Sequence, residues 1–200
     1  MFSSVKDGLR TGLITGIIFT FLVLIGFPSV ASSIIGDILG NMDSLVDEAR
    51  MPAGNLVIFI GLIGFIAGLT VMKKNADVSW LGIALGGLAA GLLTGLIVGL
   101  VIYLIGTIDN NGVDFRTYLP NLGADQIRYL LFYSTPLSAS QTYLLYFSIF
   151  GLVGALVRKT ISELSVYKEK FGKVVSQVSS QIGSSKIKSL FDNKFVLIGL

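Results

Sequence analysis

The chain has 200 residues, of which 52% are hydrophobic and only 14% charged, with mean hydropathy +0.79 and a formal net charge of +3. Soluble domains carry about 25% charged residues, so the composition argues against a water-soluble domain and for an integral membrane protein. Cysteine and histidine are both absent. That excludes a disulfide framework, a Cys/His metal site, a thiol nucleophile and a histidine base.

Four segments in chain order are apolar enough to cross a bilayer. The first is Leu9 to Phe27, with Lys6 before it, Arg10 at its start and Pro28 as its stop. A rival reading makes this stretch a signal peptide with Ser29 to Ala31 as its cleavage site, although its apolar run exceeds the usual 7 to 15 residues. After it, Ile35, Ile38, Met42 and Leu45 recur at helical spacing among acidic residues. This pattern suits a helix lying on the membrane surface or over a bundle. The second segment is Gly54 to Met72, and the third runs from Trp80 to Thr107. Helical geometry makes the second about 28 Å long and the third about 42 Å, against a hydrocarbon core of about 30 Å, so the third tilts or protrudes. Trp80 and Tyr103 sit near its opposite ends, as interfacial aromatics do. Tyr133 to Ser140 reads as a turn, leading into a fourth segment from Leu137 to Val157.

The remainder is basic. Ile161, Leu164, Phe171, Val175, Val178 and Ile182 alternate three- and four-residue steps, with Lys168 in the remaining slot. That predicts an amphipathic helix over 158–193, with Lys168, Lys170, Lys173, Lys186 and Lys188 suited to an anionic membrane surface. Gly183 to Ser185 reads as a hinge. Lys194 followed by an apolar run to Leu200 reads as the start of a fifth transmembrane helix, or as a short apolar end packed on the membrane surface or the bundle.

Basic residues orient the chain. The N-terminus, the second connection (Lys73, Lys74) and the tail hold 12 of them; the first and third connections hold three, Arg50, Arg116 and Arg128. The positive-inside rule therefore places the N-terminus and the tail in the cytoplasm, in a multi-pass protein of the cell membrane. The fold class expected is an all-α integral membrane protein, with a four-helix transmembrane domain over 1–157 and a cytoplasmic tail.

Glycines recur at four-residue spacing: Gly8, Gly12 and Gly16 in the first segment, Gly64 and Gly68 in the second, Gly87, Gly91, Gly95 and Gly99 in the third, and Gly151 ahead of Ala155 in the fourth. Each four-residue step turns a helix by about 400°, so such a stripe forms one smooth groove. Close backbone approach there supplies the van der Waals contact that lipid does not drive. The stripes serve packing within one bundle or contact with another subunit. "TGLITGII" at Thr11 resembles "TGLIVGLV" at Thr94, which suggests two similar helical hairpins; chance likeness among Gly/Leu/Ile-rich helices is the other reading.

Chemistry is sparse. From Thr11 to Phe27, and throughout the other three segments, there is no Asp, Glu, Lys or Arg. Intramembrane charges mark proton relays and ion paths, so a stand-alone ion-coupled pump is disfavoured. No phosphate-binding glycine loop occurs. No enzyme activity, cofactor or metal is expected, and the positive charge suits a membrane surface better than nucleic acid.

Two stretches, "YLLYFSIFGLVGALVRK" (143–159) and "KSLFDNKFVLIGL" (188–200), resemble the membrane region of permeases in branched-chain amino acid ABC transporters. The resemblance implies a subunit that moves amino acids or similar small solutes, with a partner permease, a separate ATPase and a binding protein as other chains. On that reading the present helices serve packing or partner contact. The alternative is a small, non-catalytic four-helix scaffold or assembly factor.

Overall fold

The computed structural model describes residues 2–39, 51–71 and 79–195; the side chains of 39, 51–53, 166, 168, 169 and 174–195 are not among those described. Its elements are six α-helices: α1 (Phe2–Leu24), α2 (Phe27–Leu39), α3 (Met51–Thr70), α4 (Trp80–Asn110), α5 (Ala124–Leu130) and α6 (Pro136–Phe195), with a 3-10 turn at Phe115–Thr117. Among the described residues no strand occurs. The chain divides into two compact units, Met1–Lys159 and Thr160–Leu200, and each is taken by itself.

Among the described residues, three helical segments are long and apolar enough to cross a membrane: Phe2–Leu24, Trp80–Asn110 and Pro136–Lys173. The second expected segment is also helical, but its described apolar stretch, Gly54–Thr70, is shorter. Fewer than half the residues in the most apolar part of each long helix are buried. Ile17, Phe21, Leu96, Leu100 and Leu145 point outward, while Gly12, Gly91 and Thr94 are buried. Phe19, Tyr143 and Phe147 are buried as well, but the many large apolar side chains left outside depart from the pattern of a protein dissolved in water. They fit a bundle whose solvent is lipid. The structure is thus an all-helical protein of the multi-pass membrane class.

Several local expectations need correction. The first helix ends at Leu24 rather than at Pro28. Gly26 turns the chain with φ +75°, a left-handed conformation that glycine adopts without a Cβ clash. The Asn121 side chain donates to the Ile25 carbonyl at 3.1 Å there. Pro28 instead opens α2: in a helix's first turn its missing N–H is no loss and its φ is pre-set. Ser29 to Ala31 accordingly lie within a helix, with Ala31 buried. Of the amphipathic set, Ile35 is half-buried and Ile38 exposed; Met42 and Leu45 lie outside the described residues. The 3-10 turn and α5 occupy a connection in which no helix was expected. Gly183 to Ser185 are helical within α6 rather than a hinge, and Val196 to Leu200 lie outside the described residues.

In the first unit, contact order fixes helix directions. Gly8, Gly12 and Gly16 of α1 face Gly86, Ala90 and Ile97 of α4 in ascending order, so α1 and α4 run parallel. Gly87, Gly91, Gly95 and Gly99 face Gly151, Phe147, Leu144 and Ser140, so α4 and α6 run antiparallel. Gly64 meets Phe147 and Gly68 meets Gly151 and Ala155, so α3 follows α6.

Candidate functional site

The candidate site is the set of helix contacts centred on α4, because that is where the sequence places its most regular pattern. Ser79 caps α4, its side chain accepting from the Gly82 N–H at 3.2 Å, which satisfies one of the free amides of a helix start. The 31 residues that follow would span about 46 Å.

One face of α4 meets α6. A Cβ placed on Gly87 would lie 2.6 Å from the Gly151 carbonyl oxygen, one on Gly95 2.7 Å from Leu144 Cα, and one on Gly99 2.9 Å from the Ser140 carbonyl oxygen. A Cβ on Gly91 would strike the Phe147 carbonyl. Every member of the stripe therefore faces α6 backbone. A second face meets α1: a Cβ on Gly12 would lie 2.5 Å from the Ala90 carbonyl oxygen, and one on Gly16 2.9 Å from Ile97 Cδ1. Here Thr94 Oγ1, fully buried, donates to the Gly12 carbonyl at 3.1 Å. The hydroxyl gains a partner on another helix rather than only on its own. A third contact joins α3 to α6, where Gly154 faces the Phe65 carbonyl and Gly61 the Phe150 ring.

Aromatics fill the space that glycines leave on the other sides. Phe19 packs against Phe59 and Phe147 with ring centroids 5.6 and 5.2 Å apart, and Tyr143 stands 6.5 Å from both Phe19 and Phe147. Tyr143 is fully buried and its hydroxyl donates to the Leu130 carbonyl at 3.2 Å. Ser148 is also buried and bonds its own helix at Leu144. Near the α2–α5 contact, Tyr129 is buried and its hydroxyl has no hydrogen-bond partner of normal geometry among the described residues. Burial raises its pKa from that of an ordinary tyrosine, and nearby Ser32 acts in the opposite direction.

At the end of α5 the chain closes with two hydrogen bonds, Phe132 N–H to Tyr129 O and Tyr133 N–H to Arg128 O, both at 2.9 Å. This is the Schellman pattern, but its left-handed C′ position holds Phe132 (φ 53°) instead of glycine, and Tyr133 after it is left-handed as well (φ 54°). The Phe132 ring lies 5.3 Å from Tyr143, which helps hold the turn.

Among the described residues no group of three or more His, Cys, Asp or Glu side chains could hold a metal ion. Of the basic tail residues, Lys170 is exposed; Lys173 is exposed and has an interaction partner. Lys168, Lys186 and Lys188 have side chains outside those described. Lys159, counted with the cytoplasmic tail by sequence, is buried in the first unit. Sequence reasoning missed Ala90, Gly154 and the Phe19–Phe59–Tyr143–Phe147 core. The α1-facing side of α4 carried its own signal, since Gly82, Gly86 and Ala90 also repeat every four residues. No protein-family model, curated protein or solved structure matches the chain.

Proposed function

We propose that the chain is a non-catalytic, non-conducting packing module of a multi-pass protein in the cell membrane. It crosses the bilayer four times and keeps its N-terminus and basic tail in the cytoplasm. The observation that carries this reading is the nature of the interior. Glycine-to-backbone contacts and a buried aromatic cluster fill it, and the buried hydroxyls of Thr94, Tyr143 and Ser148 bond to backbone carbonyls. A solute path needs polar lining or intramembrane charge, and the central described helices supply neither. Four crossings are supported by direction: parallel α1 and α4 need a return crossing between them, and α3, which runs with α6 and against α4, is the helix available for it. The cytoplasmic assignment rests on the 12 to 3 division of basic residues.

The protein served by this module is, on the resemblance of 143–159 and 188–200, a permease of ABC type for amino acids or similar small solutes, driven by a separate ATPase. Purified chain in liposomes should give no flux of ions or amino acids by itself; flux would overturn the packing reading. Deleting its gene should abolish ATP-dependent uptake of branched-chain amino acids by cells. Unchanged uptake would remove the permease and leave the scaffold or assembly-factor reading.

A further inference from the structure

The second unit begins at Thr160, and it carries the whole net charge of the chain. Residues 1–159 hold nine basic and nine acidic side chains, whereas 160–200 hold six lysines against three acids, Glu163, Glu169 and Asp192. The same unit leaves large apolar side chains in the open: Leu164, Tyr167 and Phe171 are each more than half exposed. Helical register sorts the two kinds of residue. The backbone is helical through Phe195, and each residue turns a helix by about 100°. Over 161–182, an arc about 100° wide holds Leu164, Tyr167, Phe171, Val174, Val175, Val178 and Ile182, and its one polar group is the tyrosine hydroxyl. Lys168 and Lys186 are 18 residues apart, which is about five full turns, so they share one border of the arc. Lys170 and Lys188 have the same spacing and share the other border.

Lysines on both borders of an apolar arc suit a helix lying in a membrane interface. The arc enters the boundary of the acyl chains, the lysine stems run along its edges, and the ammonium groups stay among the headgroups. Charge then selects the lipid: an excess of lysine is drawn to anionic headgroups and gains little from zwitterionic ones. A second copy of the helix is the other candidate to cover such a stripe, and the register speaks against it. Coiled coils carry opposite charges at the positions beside the seam. Here those positions are Ser165, Gly172 and Ser179 on one side and Tyr167, Val174 and Gln181 on the other, none of them charged. Lys168 would also fall in the seam itself, at a cost in stability.

We infer that the second unit docks through this arc on an anionic lipid surface, with Lys168, Lys170, Lys186 and Lys188 among the headgroup phosphates. The inference rests on the membrane placement and cytoplasmic tail proposed above. The chain has no cysteine, so single cysteines in the full chain can carry an environment-sensitive fluorophore without background. Val178→Cys lies on the arc, and Ser180→Cys lies about 160° away at nearly the same height on the helix. In bilayers of phosphatidylcholine with phosphatidylserine, the label at 178 should shift to the blue and resist quenching by acrylamide, while the label at 180 stays open to it. In phosphatidylcholine alone, or at high salt, the protection at 178 should be lost. Lys170→Gln should lower the ratio of docked to free tail about fivefold, and Lys170→Arg should keep it.

Equal quenching at 178 and 180 in the anionic bilayer would overturn the docking. Protection at 178 that does not depend on phosphatidylserine would overturn anionic lipid as the occupant, and protection that grows with the protein-to-lipid ratio would give the face to a second copy. A label at Leu96→Cys, on the outward side of α4, reads the membrane placement separately. It should be quenched by nitroxide-bearing acyl chains in either lipid. If acrylamide reaches it instead, the placement fails and the inference fails with it. If Leu96→Cys lies in lipid while 178 stays open to acrylamide, the docking alone is wrong.

Discussion

Two glycines on long helices, Gly91 in the first unit and Gly172 in the second, show how differently the two units use one residue type. A Cβ on Gly91 would strike the Phe147 carbonyl, whereas a Cβ on Gly172 would meet nothing within 4 Å. The same contrast runs through the larger side chains. Phe147 is fully buried, while Phe171 is 73% exposed, along with Ile161, Leu164 and Tyr167. In the first unit glycine is a contact surface, and aromatic rings take up the volume around it. In the second, glycine is an exposed weak point of a helix whose apolar residues form a stripe. Glycine frequency alone therefore says little about packing; what matters is whether another backbone lies opposite.

The sharpest way to break this comparison is at the phenylalanines. Phe147→Ala should cost about 3–5 kcal/mol, read as loss of tertiary structure in a detergent titration, while Phe171→Ala should shift the midpoint by no more than about 0.5 kcal/mol. Equal effects would mean that the two units are not distinguished by packing. Next come the glycines. Gly91→Ala should destabilise by about 2–3 kcal/mol, because two backbones must separate. Gly172→Ala should instead stabilise its helix by up to about 1 kcal/mol, visible as higher helicity on heating. Thr94→Val keeps the shape and removes the hydrogen bond to Gly12, so a loss of about 1 kcal/mol is expected.

Smaller effects sharpen the picture around α5. Tyr133→Gly relieves a left-handed tyrosine and should gain about 0.5 kcal/mol after the entropic cost of glycine; a loss would show that the exposed ring does more than strain the turn. Tyr129 gives a pH test. Its pKa is raised in the fold, so above pH 10 the unfolded chain releases a proton that the folded chain keeps. The unfolded state then binds fewer protons, and stability falls as pH rises through that window. Tyr129→Phe should flatten this alkaline decline. At pH 7 it should be neutral or slightly stabilising, since the buried hydroxyl has no hydrogen-bond partner among the described residues to lose.

Much of the fold is legible in the linear chain. Low charge and long apolar runs specify membrane-class helices, because a backbone in lipid must satisfy its own hydrogen bonds. Four-residue glycine spacing marks faces of close approach, because the helical period puts such residues on one side. Ends were harder. Pro28 suggested a stop, yet only its place relative to Gly26 decides whether it ends one helix or starts the next. The α5 turn was hidden because Phe132 occupies the position where the local code expects glycine, held in part by a ring contact with Tyr143 from a later helix.

Periodicity by itself determined that α4 has faces built for backbone contact. Only the tertiary structure decided which helix each face meets: Gly87 to Gly99 on α6, Gly86 and Ala90 on α1, in parallel for one and antiparallel for the other. The reason is physical. A glycine stripe specifies how near a neighbour can come but carries no label for which neighbour, and partner choice depends on rings and carbonyls that lie far away in sequence.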